Sequence, residues 1–88
     1  MKTAQAGSLE SCDILITVEA TKEGSGIQIQ LDSPSAKQFG EMIHAEITEV
    51  THKLGIKDVK IIAVDKGALS YCIRARTETA LTRAANEE

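Results

Sequence analysis

The chain has 88 residues, near the lower end of what folds on a single core, so it is read as one domain. Its apolar fraction of 42% argues against disorder throughout, and with one Phe, one Tyr and no Trp the core falls to Ile, Val, Leu and Ala. A net charge of −3, no basic stripe and no aromatic stacking platform argue against a nucleic-acid binder, and no apolar run approaches a membrane span.

Residues 1–7 are small and polar and are expected to be loosely held. Lys2 is followed by no apolar stretch before Ile14, which is unlike a secretory signal, so a cytoplasmic location is expected. Ile14, Leu15, Ile16, Thr17 and Val18 have the β-branched composition of a strand. Gly24 and Gly26 supply turn chemistry, and from Ile27 to Leu31 apolar and polar residues alternate strictly. The two runs read as an antiparallel hairpin.

Ser33-Pro34 reads as a helix start, with a capping hydroxyl and proline at the first helical position. Ala36, Phe39, Ile43, Ile47, Val50 and Leu54 then recur at three- and four-residue spacing as one apolar stripe, and Gly55 closes the helix. Glu49 and Lys53 are spaced as an i,i+4 pair on its outer side. Residues 59–64 form a third strand, and Asp65-Lys66-Gly67 a turn. The tail is ambiguous: Leu69, Tyr71 and Ile73 alternate like a strand, whereas the Ala- and Arg-rich run beyond Arg74 favours helix. The reading adopted is one helix from about Leu69, with a short initial strand as the minority alternative. The predicted order is β-β-α-β-α: an α+β two-layer sandwich, its small antiparallel or mixed sheet carrying both helices on one face.

Motifs for independent catalysis are missing: there is no Gly-x-Ser-x-Gly elbow and no Walker loop. His44 and His52 fall on the polar side of the long helix and read as surface histidines. Cys12 and Cys72 have no CxxC spacing and read as free thiols, with no metal site expected. Arg76 and Arg83, seven apart, share a helical stripe that is either a solvated flank or a contact for a phosphorylated or acidic group. The segment Gly7-Ser8-Leu9-Glu10-Ser11-Cys12-Asp13 reads as an exposed loop with a serine near its tip. Composition does not separate this reading from an ordinary strand-entry turn in which Asp13 caps local amides.

Gly7, Leu9, Glu10, Ser11 and Asp13 match the Gly-x-Leu-Glu-Ser-x-Asp segment of citrate lyase acyl carrier (gamma) subunits, which this chain resembles along almost its whole length. Lys37-Gln38-Phe39-Gly40 is similar to a second block of that family, and Asp65-Lys66-Gly67-Ala68-Leu69 with Cys72-Ile73-Arg74-Ala75-Arg76 to a third. Cys12 stands where the family commonly has Gly or Ser. The resemblance implies that Ser11 is joined by a phosphodiester to 2'-(5''-phosphoribosyl)-3'-dephospho-CoA, installed by a prosthetic-group transferase. It further implies a non-catalytic subunit carrying acetyl and citryl thioesters between the alpha (acyl transferase) and beta (citryl lyase) subunits, with Gly7, Leu9, Glu10 and Asp13 as motif context. The acyl carrier subunit of malonate decarboxylase, which uses the same kind of arm, and an unmodified α+β interaction module are the alternatives. Asp32-Ser33-Pro34 lacks the leucine of the fatty-acid carrier site, so Ser33 is read as a helix cap.

Overall fold

The computed structural model describes residues 1–86. Strict alternation makes the sheet two-sided. In β2 (Ile14–Ala20) the side chains of Ile14, Ile16 and Val18 are buried, and in β4 (Val59–Asp65) those of Val59, Ile61 and Ala63. These strands pair antiparallel with Ile16 opposite Ala63 and Val18 opposite Ile61, so one register puts both apolar rows on the same face. β3 (Ile27–Asp32) lies parallel to β4, with Ile29 opposite Ile61. β1 (Ala4–Gly7) adds antiparallel to the outer side of β2, giving the order β1-β2-β4-β3.

Two helices cover the apolar face. α1 (Ala36–Lys53) contributes Ile43 and Ile47 and α2 (Ser70–Asn86) contributes Ile73, Ala80, Leu81 and Ala84 to one core with the strand residues. Each fully buried Ile or Leu contributes about 1.5–3 kcal/mol through area removed from water. Buried Thr51 and Thr77 satisfy their hydroxyls by donating to the carbonyls of Ile47 and Ile73. Arg74 ties the helices together through Glu46 (3.2 Å) and Glu49 (2.8 Å), and Ser70 also donates to Glu46.

The α+β sandwich with both helices on one face is as expected, with one strand more: β-β-β-α-β-α. Four details are corrected. The expected β2–β3 hairpin does not form, because β4 lies between the two strands. A strand, a helix and a strand in succession reverse direction twice, so β3 and β4 come out parallel, and the more fully buried β4 takes the centre. Residues 1–7 are not all loose: Ala4 and Ala6 are buried in β1, and the Lys2 amide donates to the Ala84 carbonyl (3.0 Å).

The helix start is also displaced. Ser35 holds the cap position, its carbonyl accepting from Gln38 (3.0 Å) and Phe39 (2.8 Å). Ser33 instead accepts from the Ser35 amide (3.1 Å) and donates its hydroxyl to buried Asp65 (2.8 Å). Finally, the ends of the α1 stripe miss the core: Phe39 is 44% and Leu54 41% exposed, while Thr51 faces inward. Phe39, Met42 and Leu69 border an open cleft of about 360 Å³ between α1 and the β4–α2 loop. At the other end the Gly55 amide reaches His52 and that of Ile56 reaches Thr51, closing α1 at the predicted glycine. The tail is helical from Ser70, so the minority strand reading of residues 69–75 is not seen.

Candidate functional site

Residues 8–13 connect β1 to β2 across one end of the sheet. The Asp13 amide donates to the Glu10 carbonyl (3.2 Å), closing a four-residue turn with Ser11 and Cys12 at its centre. Cys12 has φ of 65°, a left-handed conformation uncommon for a residue with a side chain. That geometry aims the Cys12 amide at the Lys66 carbonyl (2.8 Å), and the Lys66 amide returns a bond to the Asp13 carbonyl (2.9 Å). The serine-bearing turn is thereby fastened to the loop between β4 and α2.

Asp13 organises the inside of the loop. Its carboxylate accepts from the Ser8 hydroxyl (2.6 Å), the Ile14 amide (2.7 Å), and both Nε (3.1 Å) and Nη2 (3.0 Å) of Arg76. The Cys72 thiol lies 3.4 Å away and donates to the same group. The Ser8 hydroxyl donates to Asp13 while accepting from the Glu10 amide (3.2 Å). The Ser8 bond first, then the Arg76 fork and the Ile14 amide, hold Asp13 well below the usual carboxylate range against an opposing contribution from burial. Burial, then the adjacent Asp13 carboxylate, push the Cys72 thiol up, so it stays protonated at neutral pH.

Gly7 sits at the start of the loop with φ of +100°. A Cβ here would lie 1.8 Å from the Ile14 carbonyl oxygen and 3.3 Å from Arg76 Cδ, so this backbone passage admits glycine alone. The motif thus divides into two groups. Gly7 and Asp13 face inward and shape the loop, whereas Leu9, Glu10 and Ser11 are exposed. Ser11 Oγ lies 3.7 Å from Cys12 Sγ. Among the described residues no His, Asp, Glu or Lys side chain is hydrogen-bonded to this hydroxyl, which lies exposed on the turn.

The other candidates lie elsewhere. Ser33 is engaged with Asp65, and His44 and His52 are exposed on α1. Arg83 donates to the Gln5 carbonyl (2.8 Å), so the expected Arg76–Arg83 stripe is divided between the loop and β1. Among the described residues no group of three His, Cys, Asp or Glu side chains could hold a metal ion, and both cysteines are free thiols. The sequence did not reveal that Arg76, Cys72 and Lys66 join this loop. The signal was there in part, since the first and third matching blocks are the two that meet in space.

Comparison with known proteins defines the class first. Residues 1–84 match the acyl carrier family model described as malonate decarboxylase delta subunit (MdcD). The chain is 51% identical over 87 residues to the citrate lyase acyl carrier protein of Streptococcus mutans, covering 99% of this chain and 84% of that one. It is 48% identical to that of Halothermothrix orenii (94% and 86% covered) and 49% identical to that of Oenococcus oeni (99% and 88%). Among solved structures, the RNase P protein of Staphylococcus aureus superposes with a TM-score of 0.44 at 17% identity, covering 91% of this chain and 81% of its own, which says nothing of function. The chain belongs to the citrate lyase acyl carrier protein family.

Proposed function

We propose that this chain is the acyl carrier subunit of citrate lyase, with Ser11 as the attachment point for phosphoribosyl-dephospho-CoA. It would move acetyl and citryl groups between an acyl transferase and a citryl lyase subunit. Its own part is non-catalytic, and a single carrier domain working in the cytoplasm belongs to the same reading. The observation that supports it best is the contrast within the loop: a hydroxyl exposed at the tip of a turn that is otherwise fastened on both sides.

The residues present fit such a group. Ser11 is exposed, so a bulky substituent on its oxygen meets no core atom. The attached group supplies a thiol on a long flexible tether, which holds an acyl group as a thioester. The chain's residues supply the anchorage: Asp13, Arg76 and the Lys66 backbone fix where the tether begins. A fixed origin matters because tethering raises the effective concentration of cargo at a partner's site only when the tether spans the distance.

Intact mass and peptide mapping of the protein from its native host test this reading. The expected result is a mass increment of one phosphoribosyl-dephospho-CoA on the peptide containing Ser11, abolished by Ser11→Ala. An unmodified Ser11 in cells that express the transferase would leave a plain interaction module. The description of the matching family model favours a second reading, the carrier of malonate decarboxylase. Co-purification decides between the two through the subunits recovered with the chain.

A further inference from the structure

We infer that Arg76 is a positioning residue for the loading of Ser11: its fork on Asp13 latches the loop to α2, and the loading enzyme recognises this latched shape rather than the order of residues 7–13. The inference rests on the function proposed above and names the feature by which that modification selects its serine.

The latch is tertiary. Arg76 and Asp13 are 63 residues apart, and the guanidinium reaches both carboxylate oxygens in the two-point geometry that fixes direction as well as distance. Asp13 is two positions beyond Ser11, and its amide closes the turn containing Ser11 while its carbonyl accepts from Lys66. Holding Asp13 therefore holds the turn. The stem of Arg76 runs beside Gly7, where any Cβ would stand 3.3 Å from its Cδ, so the glycine leaves room for the latch as well as for the strand.

What remains outside is Leu9, Glu10 and Ser11. Leu9 is 58% exposed, and burial in the core does not account for a side chain of that size held there. The hydroxyl of Ser11 is likewise free of the Asp13 network. An enzyme that closes over these three residues gains from finding them already ordered, because a loose loop must lose its freedom at each encounter. The Arg74 ion pairs with Glu46 and Glu49 provide an internal contrast: they lie on the same helix, are of similar kind, and join α2 to α1 without touching the loop.

The test uses the full-length apo-protein, the prosthetic-group transferase with its donor, and the variants Arg76→Gln, Arg76→Lys and Arg74→Gln. Two quantities are read: hydrogen exchange at the Cys12 and Lys66 amides, and kcat and KM for loading of Ser11 followed by intact mass. For Arg76→Gln the expectation is exchange faster by about tenfold or more at both amides, and kcat/KM lower by about 10- to 100-fold, mostly through KM. Arg76→Lys, which keeps the charge without the fork, falls between. Arg74→Gln loses thermal stability but keeps wild-type exchange in the loop and wild-type loading.

Wild-type loading by Arg76→Gln, or unchanged exchange at Cys12, overturns the inference. So does a peptide of residues 5–16 that is loaded as efficiently as the folded chain. If Arg76→Gln does not fold, Arg76→Lys carries the same comparison. If the wild-type chain is not loaded at all, the proposed function fails, while the exchange measurement still decides whether Arg76 orders the loop.

Discussion

Replacing Gly7 by alanine tests the loop architecture most directly. The backbone at Gly7 has φ of +100°, and holding a residue with a side chain in such a region costs about 1–3 kcal/mol. The added Cβ would also stand 1.8 Å from the carbonyl oxygen and 2.9 Å from the carbonyl carbon of Ile14, which are backbone atoms of the paired strand and cannot swing aside. β1 would have to move off β2, opening the buried contacts of Ala4 and Ala6. Together these amount to about 3–5 kcal/mol. For a chain of this size, total stability is about 4–13 kcal/mol, so a large fraction is at stake.

Gly24 supplies the control. Its φ is +89°, yet a Cβ there meets nothing within 4 Å, so Gly24→Ala incurs the conformational cost alone, about 1 kcal/mol. The assay is urea unfolding of both variants, followed by circular dichroism. The midpoint of Gly7→Ala is expected to fall well below that of Gly24→Ala. A lower m-value would accompany it if β1 is already detached in the native state, because less surface remains to be exposed. A loss of under about 1 kcal/mol at Gly7 would refute the claim that the strand passage requires glycine.

Asp13→Asn is expected to destabilise the chain by about 1.5–3 kcal/mol at pH 7 through loss of charge-assisted bonds. Because the folded state holds the Asp13 carboxyl below its usual range, that contribution is complete above the unfolded value of about 3.9 and is lost as the pH falls from there. Unfolding of both proteins at pH 7, 4 and 3 should show the gap narrowing only below about pH 4. A gap independent of pH would show that the ionised form is not what the loop uses. Leu81→Ala, at a fully buried position of α2, should cost about 2–5 kcal/mol by the same unfolding assay. Iodoacetamide at neutral pH should label exposed Cys12 well before Cys72, which is half-buried and whose thiol is held protonated; mapped peptides give the order.

The loop shows how far linear reading reaches. That Ser11 would be exposed between small and acidic residues was legible, and so was a structural task for Asp13. The expectation that Asp13 caps a local amide is met by its bond to Ile14, but a larger share of its bonding comes from across the molecule. Arg76 reads either as a charge on a solvated helix flank or as a contact for a phosphorylated or acidic group, because nothing in the spacing of α2 says what a guanidinium will face. Ser33 was misread for a similar reason: serine before proline has the residue types of a cap, and the pull of buried Asp65 became visible only with β4 in place.

The sequence by itself determined those features that arise from contacts close along the chain. The period of α1, its closure at Gly55, the strand composition of β2 and the alternation of β3 follow from side-chain spacing and local backbone preference, which also favour helix over strand in the ambiguous tail. Only the tertiary structure decided which strands are neighbours. Alternation marks the face to be buried but is blind to the partner, so β4 could displace the expected hairpin and β1, four residues of weak β-formers, could become a strand by adding to the free edge of β2. The same holds for the site. The loop that carries Ser11 is fastened by Asp13, Lys66 and Arg76, which the packing of β4 and α2 brings together, because charge, hydrogen bonding and close approach act through space rather than along the chain.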